Sequence, residues 1–255
     1  MDFEKRIAKL NEMIADARHI VFFTGAGIST GSGIPDFRSA DGLYSSPTLN
    51  GKSPEYMLSI ECLLDHEKDF IKYLRENMDF REAEPNIAHQ KISELQLAKK
   101  VSVITQNIDG LHEKAGSQTV YNIHGTMSKF YCQDCGHTNF KPEAVLDGYY
   151  DNHKDIPKCP ICLTGTIRPD VVLYGEGMAQ PDFGQAQMAA GQADLLIVVG
   201  TSLTVFPAAY IPMYFGDSMK TVIINRDPVD IAAGLVFNED ICDVFEMVEI
   251  PEGVK

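Results

Sequence analysis

The chain has 255 residues, 44% hydrophobic and 23% charged, enough apolar material for one large domain or a domain with an insertion. A net charge of −14 argues against sequence-independent nucleic-acid binding, which needs clustered Lys and Arg to displace counterions, and against an anionic membrane surface as partner. No apolar run has the length of a membrane span, and the N-terminus (Asp2, Glu4, Lys5, Arg6) lacks the apolar core of a secretory signal, so a cytoplasmic setting is expected.

Asp2 to Ala17 reads as an amphipathic helix with Ile7, Leu10, Ile14 and Ala17 on one face. His19 to Phe23 is a buried-strand run that enters the turn Thr24-Gly25-Ala26-Gly27. From Ser39 to about Glu84 the pattern weakens. It is loop-like to Pro54, then helical through Tyr56 to Leu64 and Asp69 to Phe80, which marks a helical insertion. Asn86 to Leu97 is a further helix, with Ala88, Ile92 and Leu95 inward. Val101 to Thr105 is a strand leading into Gln106-Asn107-Ile108-Asp109-Gly110, and Thr119 to Ile123 another, stopping at His124-Gly125.

A cysteine-bearing segment follows from about Lys129 to Ile167. Asp170 to Leu173 and Ala193 to Val199 are expected strands, with a helix between them near Phe183 to Ala190. Thr221 to Asn225 is the last clear core strand. Alternating strands and helices with near-continuous apolar strands predict an α/β fold, its parallel sheet covered on both faces. Gly25, Gln106, His124, Gly200 and Asn225 all follow strand ends, the edge where open α/β sheets bind ligands.

Gly25-Ala26-Gly27-Ile28-Ser29-Thr30 begins like a dinucleotide fingerprint but has Thr30 in place of the third glycine. The glycines would let backbone N–H groups approach a pyrophosphate, or simply serve a strand–helix turn. Pro35-Asp36-Phe37-Arg38 interrupts the expected strand–helix–strand unit, so a hydride-transfer dehydrogenase fits poorly.

The knuckles Cys132-x2-Cys135 and Cys159-x2-Cys162 predict one tetrahedral zinc, with His137 a rival ligand and two redox sites the alternative. Four cysteine ligands leave no open position, so the metal is expected to hold the fold together. Cys62 and Cys242 read as packing residues. His124 is the candidate for acid–base work, beside the amides and carboxylate of Gln106, Asn107 and Asp109, which can orient a sugar. His89 and His112 read as structural.

Taken in order, Gly25-Ala26-Gly27-Ile28-Ser29, Gly33-Ile34-Pro35-Asp36-Phe37-Arg38, Thr105-Gln106-Asn107-Ile108-Asp109-Gly110-Leu111-His112, His124-Gly125, the two knuckles, Arg168-Pro169-Asp170-Val171-Val172-Leu173-Tyr174-Gly175-Glu176 and Gly200-Thr201-Ser202-Leu203 resemble the sirtuins, NAD-dependent protein-lysine deacylases. The resemblance is to a prokaryotic-type member and runs from about Ile20 to Asp243. It implies a Rossmann-like domain (1–38, 85–128 and 168–255) and a small domain made of a helical module (39–84) and a zinc-binding module (129–167).

The same resemblance implies NAD as a consumed co-substrate and acyl-lysine proteins or peptides as partners. His124 and Asn107 become the catalytic residues, His124 as general base. NAD would meet Gly25, Ala26, Gly27, Thr30, Phe37 and Arg38 in the first loop. Gln106, Asn107, Ile108, Asp109 and His124 would take its nicotinamide ribose and carboxamide. Gly200, Thr201, Ser202, Asn225, Arg226 and Cys242, the last through its backbone, would take the adenosine half. Val172, Leu173, Tyr174, Gly175 and Val205 would flank the acyl-lysine peptide, held as an added strand.

Family members that prefer acidic acyl groups carry a Tyr-x-x-Arg pair; Ile71 and Leu74 stand there in this chain, and Tyr73 and Arg75 have the wrong spacing, which favours neutral acyl groups. A mono-ADP-ribosyltransferase using the same pocket, and an NAD-responsive binding module, are the competing readings. His124 with an open peptide groove favours deacylation over the first, and the second leaves the Gln106-Asn107-Asp109-His124 cluster unexplained.

Overall fold

The computed structural model describes residues 1–36, 42, 51–178 and 182–251. The N-terminal helix α1 (Phe3–Asp16) is capped by Asp2, whose side chain accepts the Lys5 N–H at 2.9 Å, and it buries Ile7, Leu10 and Ile14. It leads into β1 (His19–Thr24), buried at every position. Further strands are β2 (Lys100–Thr105) and β3 (Val120–Asn122), then β4 (Gly125–Cys132) and β5 (Ile167–Val171), then β6 (Leu195–Val199), β7 (Thr221–Ile224) and β8 (Leu235–Phe237).

Six of these form a parallel sheet in the order β3-β2-β1-β6-β7-β8. The strands alternate between two cores. Ile20, Phe22, Val101, Val103 and Ile197 pack with α1, α5 (Ile87–Ala98) and α9 (Ile241–Glu246). Val21, Phe23, Ile104, Leu196 and Val198 pack with α8 (Asp182–Gln192) and the 3-10 helix Ala208–Tyr214. Burial on both faces explains the near-continuous apolar runs of the central strands β1 and β6. The chain runs outward from β1 to β3 on one side and from β6 to β8 on the other. The switch point therefore lies between β1 and β6, and it opens a crevice at their C-terminal ends.

A third core belongs to the smaller part. It combines α2 (Pro54–Met57), α3 (Ile60–Asp65) and α4 (Glu67–Asn77) with the antiparallel pair β4–β5 and α7 (Pro142–Leu146). Ser53 and Ser59 cap α2 and α3, their hydroxyls accepting the N–H groups of Tyr56 and Cys62.

Two expectations about strands need correction. Asp170 and Val171 end β5, whose partner is β4 and not the parallel sheet; the apolar run that follows continues as the turn Val172–Gly175. Three-residue β8 lies beyond the last expected strand and is too short to show a period. The expected module boundaries at 128/129 and 167/168 fall within β4 and at the start of β5.

Candidate active site

The crevice widens into a cavity of about 700 Å³, bounded by the loops after β1, β2, β6 and β7 on one side and by the small part on the other. Its floor depends on three glycines. Gly25 N–H donates to Val199 O at 3.0 Å and Gly27 N–H to Gly200 O at 2.8 Å. A Cβ on Gly27 would stand 2.8 Å from Gly200 Cα, and Gly200 has φ +61°, so neither loop tolerates a side chain there. The chain continues as a 3-10 helix, Ala26–Ser32, with Thr30 Oγ1 donating back to Gly27 O at 2.9 Å.

From the neighbouring strand, Gln106 N–H donates to Thr24 O at 3.0 Å and Gln106 Nε2 to Thr201 Oγ1 at 2.8 Å, tying the loops after β1, β2 and β6 together. Ser29, buried, is a junction: it accepts Asn107 Nδ2 at 3.0 Å and donates to Asp109 Oδ2 at 2.7 Å. Burial pushes the Asp109 carboxyl up, against the opposing effect of the Leu111 N–H and the Ser29 hydroxyl. Sequence reasoning missed Ser29 as a site residue, because its role exists only where the loops after β1 and β2 meet.

His124 follows β3, and its Nδ1 is 2.9 Å from the main-chain carbonyl of Gln106. A carbonyl only accepts, so Nδ1 carries the proton and Nε2 is left as the basic nitrogen. Burial lowers the pKa of His124, partly offset by that bond. The His124 carbonyl in turn accepts Val172 N–H at 2.9 Å.

Past Val172 the chain is clamped. Arg168, only 2% exposed, donates to Glu176 Oε1 at 2.7 Å and Oε2 at 2.9 Å and to Val171 O at 2.8 Å. Glu176 also accepts Leu173 N–H at 2.8 Å. Tyr174 bridges to the helical module, its N–H to Leu58 O and its O from Ile60 N–H, both at 3.0 Å. The turn Val172–Gly175 is thereby fixed to the Gln106–His124 segment and to α3 together.

The cavity wall includes every described residue expected to meet NAD or peptide except one: Gly25, Ala26, Gly27, Thr30, Gln106, Asn107, Ile108, Asp109, His124, Gly200, Thr201, Ser202, Asn225 and Arg226, with Val172, Leu173, Tyr174, Gly175 and Val205. The exception is Cys242. Its N–H is spent on Asp240 Oδ1 at 2.8 Å as the cap of α9, and Asp240 and Ile241 hold the wall instead. Phe37 and Arg38 lie outside the described residues. Leu58, Leu74, Phe80, Ile108 and Met127 make one part of the wall apolar. Ile71 is buried in the core of the helical module, while Arg75 is paired with Asp151 at 2.7 and 2.8 Å.

Away from the cavity the four knuckle sulfurs, Cys132, Cys135, Cys159 and Cys162, all lie within 4.8 Å of one another. The two knuckles turn alike. Cys132 O accepts Gly136 N–H and Cys159 O accepts Leu163 N–H, each at 2.9 Å, with Gly136 and Leu163 both at positive φ. Gly165 packs flat on Cys132 Sγ, where a Cβ would collide. The Cys162 sulfur accepts Gly165 N–H at 3.4 Å, as thiolate ligands commonly do. His137 meets Phe140 edge to face and is not one of the four convergent ligands. A tetrahedral dication fits this all-sulfur set.

The Sir2 family model matches residues 25–207. A protein of Staphylococcus epidermidis named NAD-dependent protein deacetylase is 44% identical over 246 residues, 95% of this chain and 96% of its own. The chain belongs to the Sir2 family. A sirtuin relative of the same name from Clostridium acetobutylicum is 42% identical over 95% of this chain and 98% of its own. Among solved structures, Sir2 with p53 peptide and NAD+ superimposes with a TM-score of 0.81 at 33% identity, over 94% of this chain and 95% of that one. A Sir2 variant with deacetylated p53 peptide and 3′-O-acetyl ADP-ribose gives a TM-score of 0.84 at 32% identity, over 94% and 96%.

Proposed function

We propose that this sirtuin is an NAD-dependent protein-lysine deacetylase that transfers the acetyl group of lysine to ADP-ribose and releases nicotinamide. The observation that carries the reading is His124, neutral, with Nδ1–H committed to Gln106 O, on the wall shared by the glycine loops and the Val172–Gly175 turn. NAD is a co-substrate here, and proteins or peptides bearing acyl-lysine are the partners.

The peptide would lie along Val172–Gly175 and Val205 as an added strand, its acetyl-lysine entering beside Ile108 and Met127. The acetyl carbonyl oxygen forms a bond to the ribose carbon as the bond to nicotinamide breaks, giving an imidate. Asn107, fixed by Ser29, orients the ribose. His124 Nε2 takes the proton of the 2′-hydroxyl as that oxygen attacks the imidate carbon. Water then completes release of free lysine and O-acetyl-ADP-ribose.

Cys132, Cys135, Cys159 and Cys162 would hold one zinc ion, which supplies cohesion to the β4–β5 unit and no chemistry. Among the described residues no helix is long and apolar enough to cross a membrane. The cytoplasmic setting is part of the same proposal, supported by six cysteines free of disulfides.

The test is mass spectrometry of an acetyl-lysine peptide incubated with the protein, with and without NAD. Loss of the acetyl mass only with NAD, together with O-acetyl-ADP-ribose, is the expected result. Consumption of NAD with ADP-ribose added to protein would replace it with the ADP-ribosyltransferase reading.

A further inference from the structure

Two histidines that the reaction does not use stand behind the nucleotide loop. His89 on α5 and His112 on α6 (Leu111–Lys114) are 0% and 1% exposed, their rings 4.8 Å apart and edge to face. His112 Nε2 is 3.1 Å from Thr24 Oγ1, on the residue immediately before Gly25. His89 Nδ1 is 3.1 Å from Asn86 Oδ1. Asn86 then reaches the loop itself, its Nδ2 donating to Ile28 O at 2.7 Å and Ser32 Oγ at 3.1 Å.

The proton positions follow from chemistry. Ile28 O can only accept, so the Asn86 amide nitrogen faces it and the amide oxygen faces His89. His89 Nδ1 therefore donates, and the ring is neutral. Burial lowers His89 to about 4, and burial with the neighbouring His89 holds His112 well below its ordinary value. The other nitrogens, His89 Nε2 and His112 Nδ1, are buried with no partner. Unpaired buried nitrogens are destabilising, and two apolar rings would fill the space without that cost. What apolar rings cannot reproduce is the pair of bonds to Thr24 and Asn86, the two residues that hold the loop.

We propose that His89 and His112 are positioning residues that set the Gly25–Ser32 loop for NAD, acting through Asn86 and Thr24. The proposal rests on the NAD reading given above. The path Thr24–His112–His89–Asn86–Ile28 grips the loop at its entry and again at its middle from the side away from the cavity. On the cavity side the loop is held by Ser29 to Asn107 and Asp109 and by Gly27 to Gly200. Cutting the rear grip leaves His124 and the peptide turn untouched, so the loss falls on NAD affinity.

The test is steady-state kinetics on the full chain, varying NAD at saturating acetyl-lysine peptide and then the reverse, with calorimetric NAD binding and a melt without NAD. His89→Leu and His112→Leu remove the grip. His89→Asn and His112→Gln return an amide nitrogen near the lost ring nitrogen. Loss of a buried hydrogen bond predicts KM and Kd for NAD raised about tenfold in the leucine variants, with kcat within about twofold and peptide KM unchanged. The amide variants should recover most of the affinity.

Should the leucine variants fail to fold, Thr24→Val, which deletes only the hydroxyl partner of His112, should give the same signature. Lowered melting with unchanged NAD affinity, or equal losses in leucine and amide variants, would overturn the proposal. Absence of deacetylation by the wild type would instead overturn the functional reading, and calorimetry with NAD on the same variants would still decide this one.

Discussion

His124 Nδ1–H donates to the main-chain carbonyl of Gln106 at 2.9 Å, so the residue that precedes Asn107, proposed to orient the ribose, also fixes the tautomer of the proposed base. Burial holds the imidazole below its ordinary pKa, and the Gln106 bond only partly restores it. The working form is neutral, present above the pKa and lost as pH falls through it. The kcat/KM profile for deacetylation should therefore be flat around neutrality, with an acid limb centred below about 6.5, the unperturbed histidine value. His124→Tyr should lower kcat by at least about a hundredfold with zinc content unchanged. An acid limb that persists in that variant, or a rate near wild type, would assign the limb and the base elsewhere.

Glu176 accepts three bonds, two from Arg168 and one from Leu173 N–H, and it is what neutralises a nearly fully buried guanidinium. Burial disfavours its charge, yet those bonds win and keep its carboxyl below the usual glutamate value. Its contribution to stability is present above the unfolded pKa of about 4.3 and fades as pH falls through the lower folded value. Glu176→Ala leaves Arg168 buried and unpaired, a loss on the order of 3 kcal/mol. Denaturant unfolding should show it. Because the same carboxylate shapes Val172–Gly175, peptide KM should rise more than NAD KM. An equal rise in both would mean that the turn does not hold the peptide.

Much of this was legible in the chain because the parallel strands are buried on both faces. Runs such as His19–Phe23 and Leu195–Val199 stand out, and the residues just past them, Gly25, Gln106, Gly200 and Asn225, fall at the cavity as expected. Four cysteines at knuckle spacing were legible for a different reason: few chemistries need them. What stayed hidden depends on contacts distant in sequence. Ser29 reads as one more small residue until Asn107 and Asp109 converge on it. The apolar run after Pro169 looks like a core strand, although its partner is set by β4. Cys242 misses the wall because α9 begins one residue earlier and directs its N–H to the cap.

Acyl preference follows from the wall beside the helical module. Leu74 lies on it with Leu58, Phe80 and Met127, while the nearby Arg75 is occupied by Asp151 and Val145 O. A carboxylate on the acyl chain would enter this apolar wall without a partner. Placing an unpaired charge in such a site costs several kcal/mol, so succinyl-lysine should be processed at least about a hundredfold less efficiently than acetyl-lysine. Competition between matched acetyl and succinyl peptides, followed by mass, measures the ratio. Leu74→Arg should narrow the ratio from both sides, by pairing the acid and by polarising the wall. A ratio that Leu74→Arg leaves unchanged would show that the acyl group binds elsewhere.

The zinc module reaches His124 through its own ladder. β4 starts at Gly125, the residue after His124; β5 ends at Val171, the residue before Val172; and Gly125 pairs with Val171 across the two strands. At the other end of that ladder Cys132 pairs with Ile167, beside Gly165, which packs on the Cys132 sulfur. Metal at the knuckles thus closes one end of a hairpin whose other end carries His124 and the Val172–Gly175 turn. A strong chelator should remove one zinc per chain, and the small part should unfold as deacetylation is lost, because two of the ligands, Cys132 and Cys159, are themselves buried in its core. Cys162→Ser should weaken the site, and Gly165→Ala should do so without touching a ligand, by displacing Cys132. Metal content, melting and activity measured on each variant should fall together. Activity lost with zinc gone and the fold intact would instead give the metal a part in the chemistry.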